Sequence, residues 1–204
     1  MSPDPKSVRT ALFLSFALTL LGSCGVSNGT ELARMDDLRA PAPMLGVTEK
    51  AREAERHLIE VRTELFLEMP HRRALGVVDV IVSCMLIVGS FMLGARRSST
   101  EWWLTNSVVA NVLVIWAILG VGLSHAFGRW NRITRALTEY VRAMLEADGQ
   151  STAGVEAAAQ LNAVLFVGFA VAVAIAWTGL HLYVLFRATR EDVRGFVASA
   201  KDER

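Results

Sequence analysis

Leu161-Asn-Ala-Val-Leu-Phe-Val-Gly-Phe-Ala-Val-Ala-Val-Ala-Ile-Ala-Trp-Thr-Gly-Leu-His-Leu-Tyr-Val-Leu-Phe186 contains no Asp, Glu, Lys or Arg. An uninterrupted stretch of this kind exceeds the roughly 20 residues that a helix needs to cross hydrocarbon. Two more stretches read the same way, Leu75 to Ala95 and Leu104 to Phe127. Apolar residues make up 52% of the chain, so most of its length goes into such spans and no large water-soluble core remains. The expected fold is therefore all-α: a polytopic membrane protein with three transmembrane helices, 75–95, 104–127 and 161–186.

The formal net charge of +1 supplies no field for nucleic acid, and none is expected as a partner. Membrane lipids are the implied surroundings, and other membrane proteins or a second copy of the chain the implied partners. The two cysteines, Cys24 and Cys84, lie in different apolar runs and form no disulfide framework.

The amino terminus has the form of an export signal. Lys6 and Arg9 precede Ala11-Leu-Phe-Leu-Ser-Phe-Ala-Leu-Thr-Leu-Leu21, an apolar core short for a spanning helix. Leu21-Gly22-Ser23-Cys24 follows, and it resembles the lipobox of bacterial lipoproteins. The resemblance covers only residues 1–24. It implies that residues 1–23 are cleaved and that the Cys24 thiol receives a diacylglycerol, with acylation of the new amino terminus. An uncleaved anchor over about Val8 to Val26 and ordinary cleavage are the other readings. Residues 24–46 read as a flexible tether, polar at Gly25-Val-Ser-Asn-Gly-Thr30 and closed to helix at Ala40-Pro-Ala-Pro-Met44. Asn28-Gly-Thr30 matches a glycosylation sequon, read as chance in a bacterial chain.

An exported start places the chain outside after residue 24, and three crossings leave the tail 187–204 in the cytoplasm. Arg96, Arg97, Arg187, Arg190, Arg194, Lys201 and Arg204 then lie inside, in keeping with the positive-inside tendency. Arg72, Arg73, Arg129, Arg132 and Arg135 lie near the outer ends, so the signal decides the topology more than the charges do. Trp102 and Trp103 suit the inner interface and Trp130 the outer one.

Two helices are expected outside. Residues 47–69 carry Val47, Ala51, Ala54, Leu58, Val61 and Leu65 in alternating steps of four and three, the seam of a packing helix. Residues 128–160 form a hairpin whose first arm has Trp130, Ile133 and Leu137 on one face. Together they predict a small extracytoplasmic bundle, with Leu58, Val61, Leu65, Trp130, Ile133 and Leu137 as its apolar contact stripe. An amphipathic helix lying on lipid is the alternative for 47–69.

Polar residues within spans mark candidate sites. Asp79, His125 and Asn162 fall toward the outer ends and are expected to converge, as a site for an ion, proton or ligand. The bland alternative pairs Asp79 with Arg72 or Arg73. Asn111 and His181 lie deeper, close enough on antiparallel helices to bond across them as packing contacts or to form a relay. His57 and Glu60 with Glu139 or Glu146 have a metal-like spacing, but alternating Glu and Arg on this helix reads as a solvated face, and no metal or other cofactor is expected. Gly122-Leu-Ser124-His-Ala126 imitates a nucleophile elbow without the required strand. With no catalytic constellation, the chain reads as a non-enzymatic assembly, scaffold or sensing component of an inner-membrane complex. An ion- or proton-conducting or transport subunit is the competing reading.

Overall fold

A computed structural model describes residues 5–34, 48–95, 97 and 99–198. Most of the expected tether (35–46), Val47, Arg96, Lys201 and Arg204 fall outside the described residues. The helices in order are α1 (Pro5–Ala33), α2 (Glu49–Leu67), α3 (Arg72–Gly94), α4 (Thr100–Gly128), α5 (Trp130–Ala147), α6 (Val155–Ala188) and α7 (Glu191–Ala198), and no strand occurs among the described residues. Four of them, α1, α3, α4 and α6, are long and apolar enough to cross a membrane. This is the make-up of a helical membrane protein, with one more candidate span than the apolar runs alone suggest.

The additional candidate span, α1, lies at the amino terminus. α1 does not stop at Cys24; it continues through Gly25–Thr30 to Ala33, where composition predicts a tether. Its hydroxyls bond back to carbonyls one turn earlier, Ser23 to Thr19 at 2.8 Å and Thr30 to Val26 at 2.6 Å. Such back-bonding satisfies polar side chains without leaving the helix. The glycines stay helical because a second helix lies directly against them.

Clustering divides the chain into two units, the first comprising Met1–Arg34, Arg73–Ile118 and Val173–Arg204. Within it α1 and α3 run antiparallel. Ser15 Oγ donates to the Ser90 carbonyl at 2.7 Å, Thr19 and Ser90 share a hydroxyl–hydroxyl bond at 2.7 Å, and Gly29 lies against Gly76. Both helices bury residues in steps of three and four: Ala11, Leu14, Leu18, Leu21 on α1; Asp79, Val82, Leu86, Ser90, Leu93 on α3. That is the spacing of a left-handed helix seam. Leu104 and Val108 of α4, Val184 and Ala188 of α6, and Val193 and Phe196 of α7 complete its core. The tail is thus not wholly a free charged segment: Val193 and Phe196, three residues apart, fold it into α7 against α1. Trp116 Nε1 ties α4 to α6 through Thr178 Oγ1 at 3.0 Å.

The second unit comprises Met35–Arg72 and Leu119–Ala172. The Thr48 hydroxyl caps α2 by accepting from the Ala51 N–H, and the helix ends just ahead of Pro70. α5 starts after a single irregular residue, Arg129, so the expected unbroken continuation of the second span has one interruption. Gly149, at φ 66°, supplies the left-handed residue that turns the chain after α5.

Candidate functional site

The buried polar groups of the first unit gather where α1, α3 and α4 meet. Small residues bring the helices together there. An added Cβ at Gly22 would sit 2.5 Å from Ile87 Cγ1 and 2.9 Å from the Ser83 carbonyl oxygen. At Gly25 it would sit 2.1 Å from Ser83 Oγ, and at Gly29 2.7 Å from the Gly76 carbonyl oxygen. Gly76 is equally closed, its Cβ meeting the Ala33 nitrogen at 2.6 Å. α3 therefore lies directly on the backbone of α1 from Gly22 to Gly29, backbone against backbone at Gly29 and Gly76, an arrangement that small residues permit in membrane helices.

Asp79 lies in this contact, 3% exposed. Asn28 Nδ2 of α1 donates to its Oδ2 at 3.0 Å, and Ser83, one turn along α3, is its other side-chain partner. Ser83 Oγ bonds Asn111 Oδ1 of α4 at 3.1 Å. Asn111 Nδ2 donates to the carbonyls of Val82 at 3.0 Å and Ser107 at 2.8 Å. The exposed Asn28 and the buried Asp79, Ser83 and Asn111 thus lie along one contact between three helices. An ionised carboxylate within hydrocarbon is costly on insertion scales, and the partner that α1 offers Asp79 here is the neutral amide of Asn28.

The structure thus unites two of the expected site residues, Asp79 and Asn111, through Ser83. The partners of Asp79 differ from those expected, coming from α1 and its own helix. His181 does not join Asn111; it is buried beside Trp177, whose carbonyl lies 2.9 Å from Nδ1. His125, in the second unit, lies with Nδ1 3.1 Å from Arg129, and its buried Nε2 has no hydrogen-bond partner among the described residues. Asn162 is exposed on α6. Cys24 and Cys84 are both exposed free thiols. Asn28 and Ser83 were not among the expected site residues. The signal that finds them is the seam Ser15, Thr19, Gly22, Gly25, Gly29, which runs on past Cys24 at helical spacing.

In the second unit, the expected stripe is used within the chain. Leu58, Val61 and Leu65 of α2 bury against Ala136 of α5, flanked by Ile133, Leu137 and Tyr140, while Trp130 stacks on Phe127 at 5.7 Å. Burial of a side chain of this size stabilises by roughly 1.5–3 kcal/mol, so α2 and α5 form a self-contained antiparallel arm. Ion pairs flank the seam in fixed register, Lys50 with Glu146, Glu64 with Arg132, and Glu68 with Arg129 at 3.0 Å, and between them the His57 ring lies 3.9 Å from the Glu139 carboxylate. His57 also lies 4.0 Å from Glu60. His57 and Glu139 thus face each other across the α2–α5 seam. Beside the seam runs an open groove of about 410 Å³ lined by His57, Asn131, Arg132 and Arg135.

No protein-family model, curated protein or solved structure matches this chain.

Proposed function

We propose that this chain is a non-enzymatic component of a cytoplasmic (inner) membrane complex, serving in assembly, scaffolding or sensing. It crosses the bilayer four times, keeps α1 as its first span, and presents the α2–α5 arm on the extracytoplasmic side. The observation that carries this reading is the arm itself: its apolar seam is closed, and what it offers outward is a patterned charged surface with the Arg135 groove. Such a surface suits recognition by another protein better than chemistry on a small molecule. Lys6, Arg9, Arg97, Arg187, Arg190 and Arg194 belong to the end of the first unit where α1 begins, the α3–α4 turn lies and α7 packs. Their gathering supports a cytoplasmic placement of both termini.

Retention of α1 is supported by its packing. Cleavage before Cys24 would remove Ser15, Thr19 and Gly22, which bond or pack against α3. The lipoprotein reading, with Cys24 as acylated amino terminus, competes directly, and the intact mass of the purified protein separates the two. Full-length mass with no palmitate label supports retention; a chain beginning at a labelled Cys24, with labelling lost in Cys24→Ala, refutes it.

The alternative of a conducting or transport subunit is favoured by one observation, the buried polar residues Asp79, Ser83 and Asn111 between the helices. A photo-crosslinker in place of Arg135, used in native membranes, tests the main reading. Discrete membrane-protein adducts, reduced by reversing the charge of Arg142 and accompanied by no ion flux in liposomes, support it. Flux abolished by Asp79→Asn, without adducts, overturns it in favour of conduction.

A further inference from the structure

The groove beside the α2–α5 seam has a one-sided lining. Its polar residues are His57 of α2 and Asn131, Arg132 and Arg135 of α5, and no carboxylate is among the residues that line it. Each of the four can donate a hydrogen bond, and the two guanidiniums carry fixed positive charge. Val61 and Ala136, buried in the seam, supply its apolar part. Arg135 sets the groove apart. Of the three arginines within α5, Arg132 is held by Glu64 through Nη2, and Arg142 lies 4.0 Å from Glu156. The Arg135 guanidinium has no ion pair and no hydrogen-bond acceptor among the described residues. Glu139 stands four residues further along the same helix, but its carboxylate lies 3.9 Å from His57. A cation placed four residues before a carboxylate is also the weaker order for a pair on one helix. Arg135 and Asn131 line a second hollow as well, of about 370 Å³, whose two carboxylates, Glu139 and Glu156, lie by His57 and Arg142.

We propose that the groove is a carboxylate-binding site, filled by a Glu or Asp side chain of the protein that the arm recognises. The inference rests on the reading of the arm as a protein-binding surface and names the chemistry of what it binds. Charge complementarity selects the occupant. Lys50, Arg129, Arg132 and Arg142 each meet a Glu from another helix, and Arg135 is left to be met from outside the chain. A guanidinium can hold both oxygens of one carboxylate through two parallel N–H donors, with the Asn131 amide donating beside them. The methylene stem of the incoming side chain has Val61 and Ala136 to lie on. At about 410 Å³ the groove falls within the roughly 300–1,000 Å³ range of ligand sites, enough for an acidic side chain with part of its segment. Arg62 gives an internal comparison: it too is exposed and without a partner among the described residues, but it is not part of the lining.

Two measurements on the full-length protein test the proposal. In micelles, glutarate is titrated while the arginine Nε–H resonances are followed. The Arg135 resonance is expected to shift saturably, with that of Arg62 unmoved. Both moving together, or Arg135 responding to inorganic phosphate and not to glutarate, overturns the carboxylate site. In native membranes, a photo-crosslinker at Thr138, one turn from Arg135 on α5, captures what lies against the arm. Protein adducts are expected to fall by about tenfold or more in Arg135→Glu, the scale of a charge-assisted hydrogen bond, and to be unchanged in Arg62→Glu. They are expected to return when the acidic residue at the captured site of the partner is changed to Arg in the Arg135→Glu background. Adducts undiminished in Arg135→Glu, or a captured segment with no acidic residue, overturn the carboxylate site and leave the arm a protein-binding surface. An absence of protein adducts, or capture of lipid alone, overturns both.

Discussion

Gly29→Ala adds one methyl group to α1, and the structure says where it goes. The new Cβ would meet the Gly76 carbonyl oxygen at 2.7 Å, the Val80 nitrogen at 2.9 Å and Asp79 Cβ at 3.0 Å. Two of the three are backbone atoms of α3 and cannot rotate away. Restoring an ordinary contact of 3.4 Å to the Gly76 oxygen requires the helices to part by about 0.7 Å. A gap of that size forfeits about a quarter to a half of the dispersion energy of each atom pair along the contact. It also stretches the Asn28–Asp79 bond from 3.0 Å past hydrogen-bond range. Overpacking costs about 1–3 kcal/mol, and a lost hydrogen bond between membrane helices adds about 0.6 kcal/mol. The expected loss is about 1.6–3.6 kcal/mol. Reversible unfolding in mixed micelles measures it, with Gly168→Ala and Gly179→Ala as controls, since a Cβ at either meets nothing within 4 Å. Equal stability of Gly29→Ala and the controls would show that α1 does not lie on α3 as described.

Leu58→Ala is expected to destabilise the α2–α5 arm by about 2–5 kcal/mol, read as faster amide exchange throughout both helices; exchange changed in α2 alone would contradict their pairing. Arg132→Glu sets two carboxylates against each other at an exposed pair and is expected to cost about 1 kcal/mol or less, recovered in the Glu64→Arg, Arg132→Glu double variant. A double variant no better than the sum of the singles would rule out that contact. Ser83→Ala removes the bridge to Asn111 and is expected to lower stability by about 1–2 kcal/mol, whereas Ser124→Ala, whose hydroxyl bonds only its own helix, changes it by less than about 0.5 kcal/mol.

The three long apolar helices α3, α4 and α6 were legible because runs of that length with so few charges have few other uses. The arm was legible too, since Leu58, Val61 and Leu65 repeat at steps that only a helix seam explains. The end of α1 was not. Gly25-Val-Ser-Asn-Gly-Thr30 has the composition of a loop, and only the close approach of α3 makes glycine there an asset rather than a break. Placing Asn28 in a tether hid the donor that meets Asp79. Asp79 and Asn111 stood out as costly residues in hydrocarbon, but Ser83, which joins them, did not, because a serine in a span usually bonds its own backbone. Val193 and Phe196 were hidden by the charges around them.

The order of charges along the arm has a bearing on how it assembles. The partners Lys50, His57 and Glu64 recur every seven residues, as do Glu146, Glu139 and Arg132, so a slip by one heptad would still bring side chains face to face. One direction of slip sets Glu64 opposite Glu139, two like charges, where the native alignment sets Glu64 on Arg132 and Lys50 on Glu146. Pairs this exposed add little to the stability of a finished hairpin, but they penalise that slip, as flanking charges do when they choose the orientation of paired helices. Two helices separated in sequence by an intervening pair of apolar spans can thus be steered away from that misalignment after insertion, with the charges acting as an address rather than as glue.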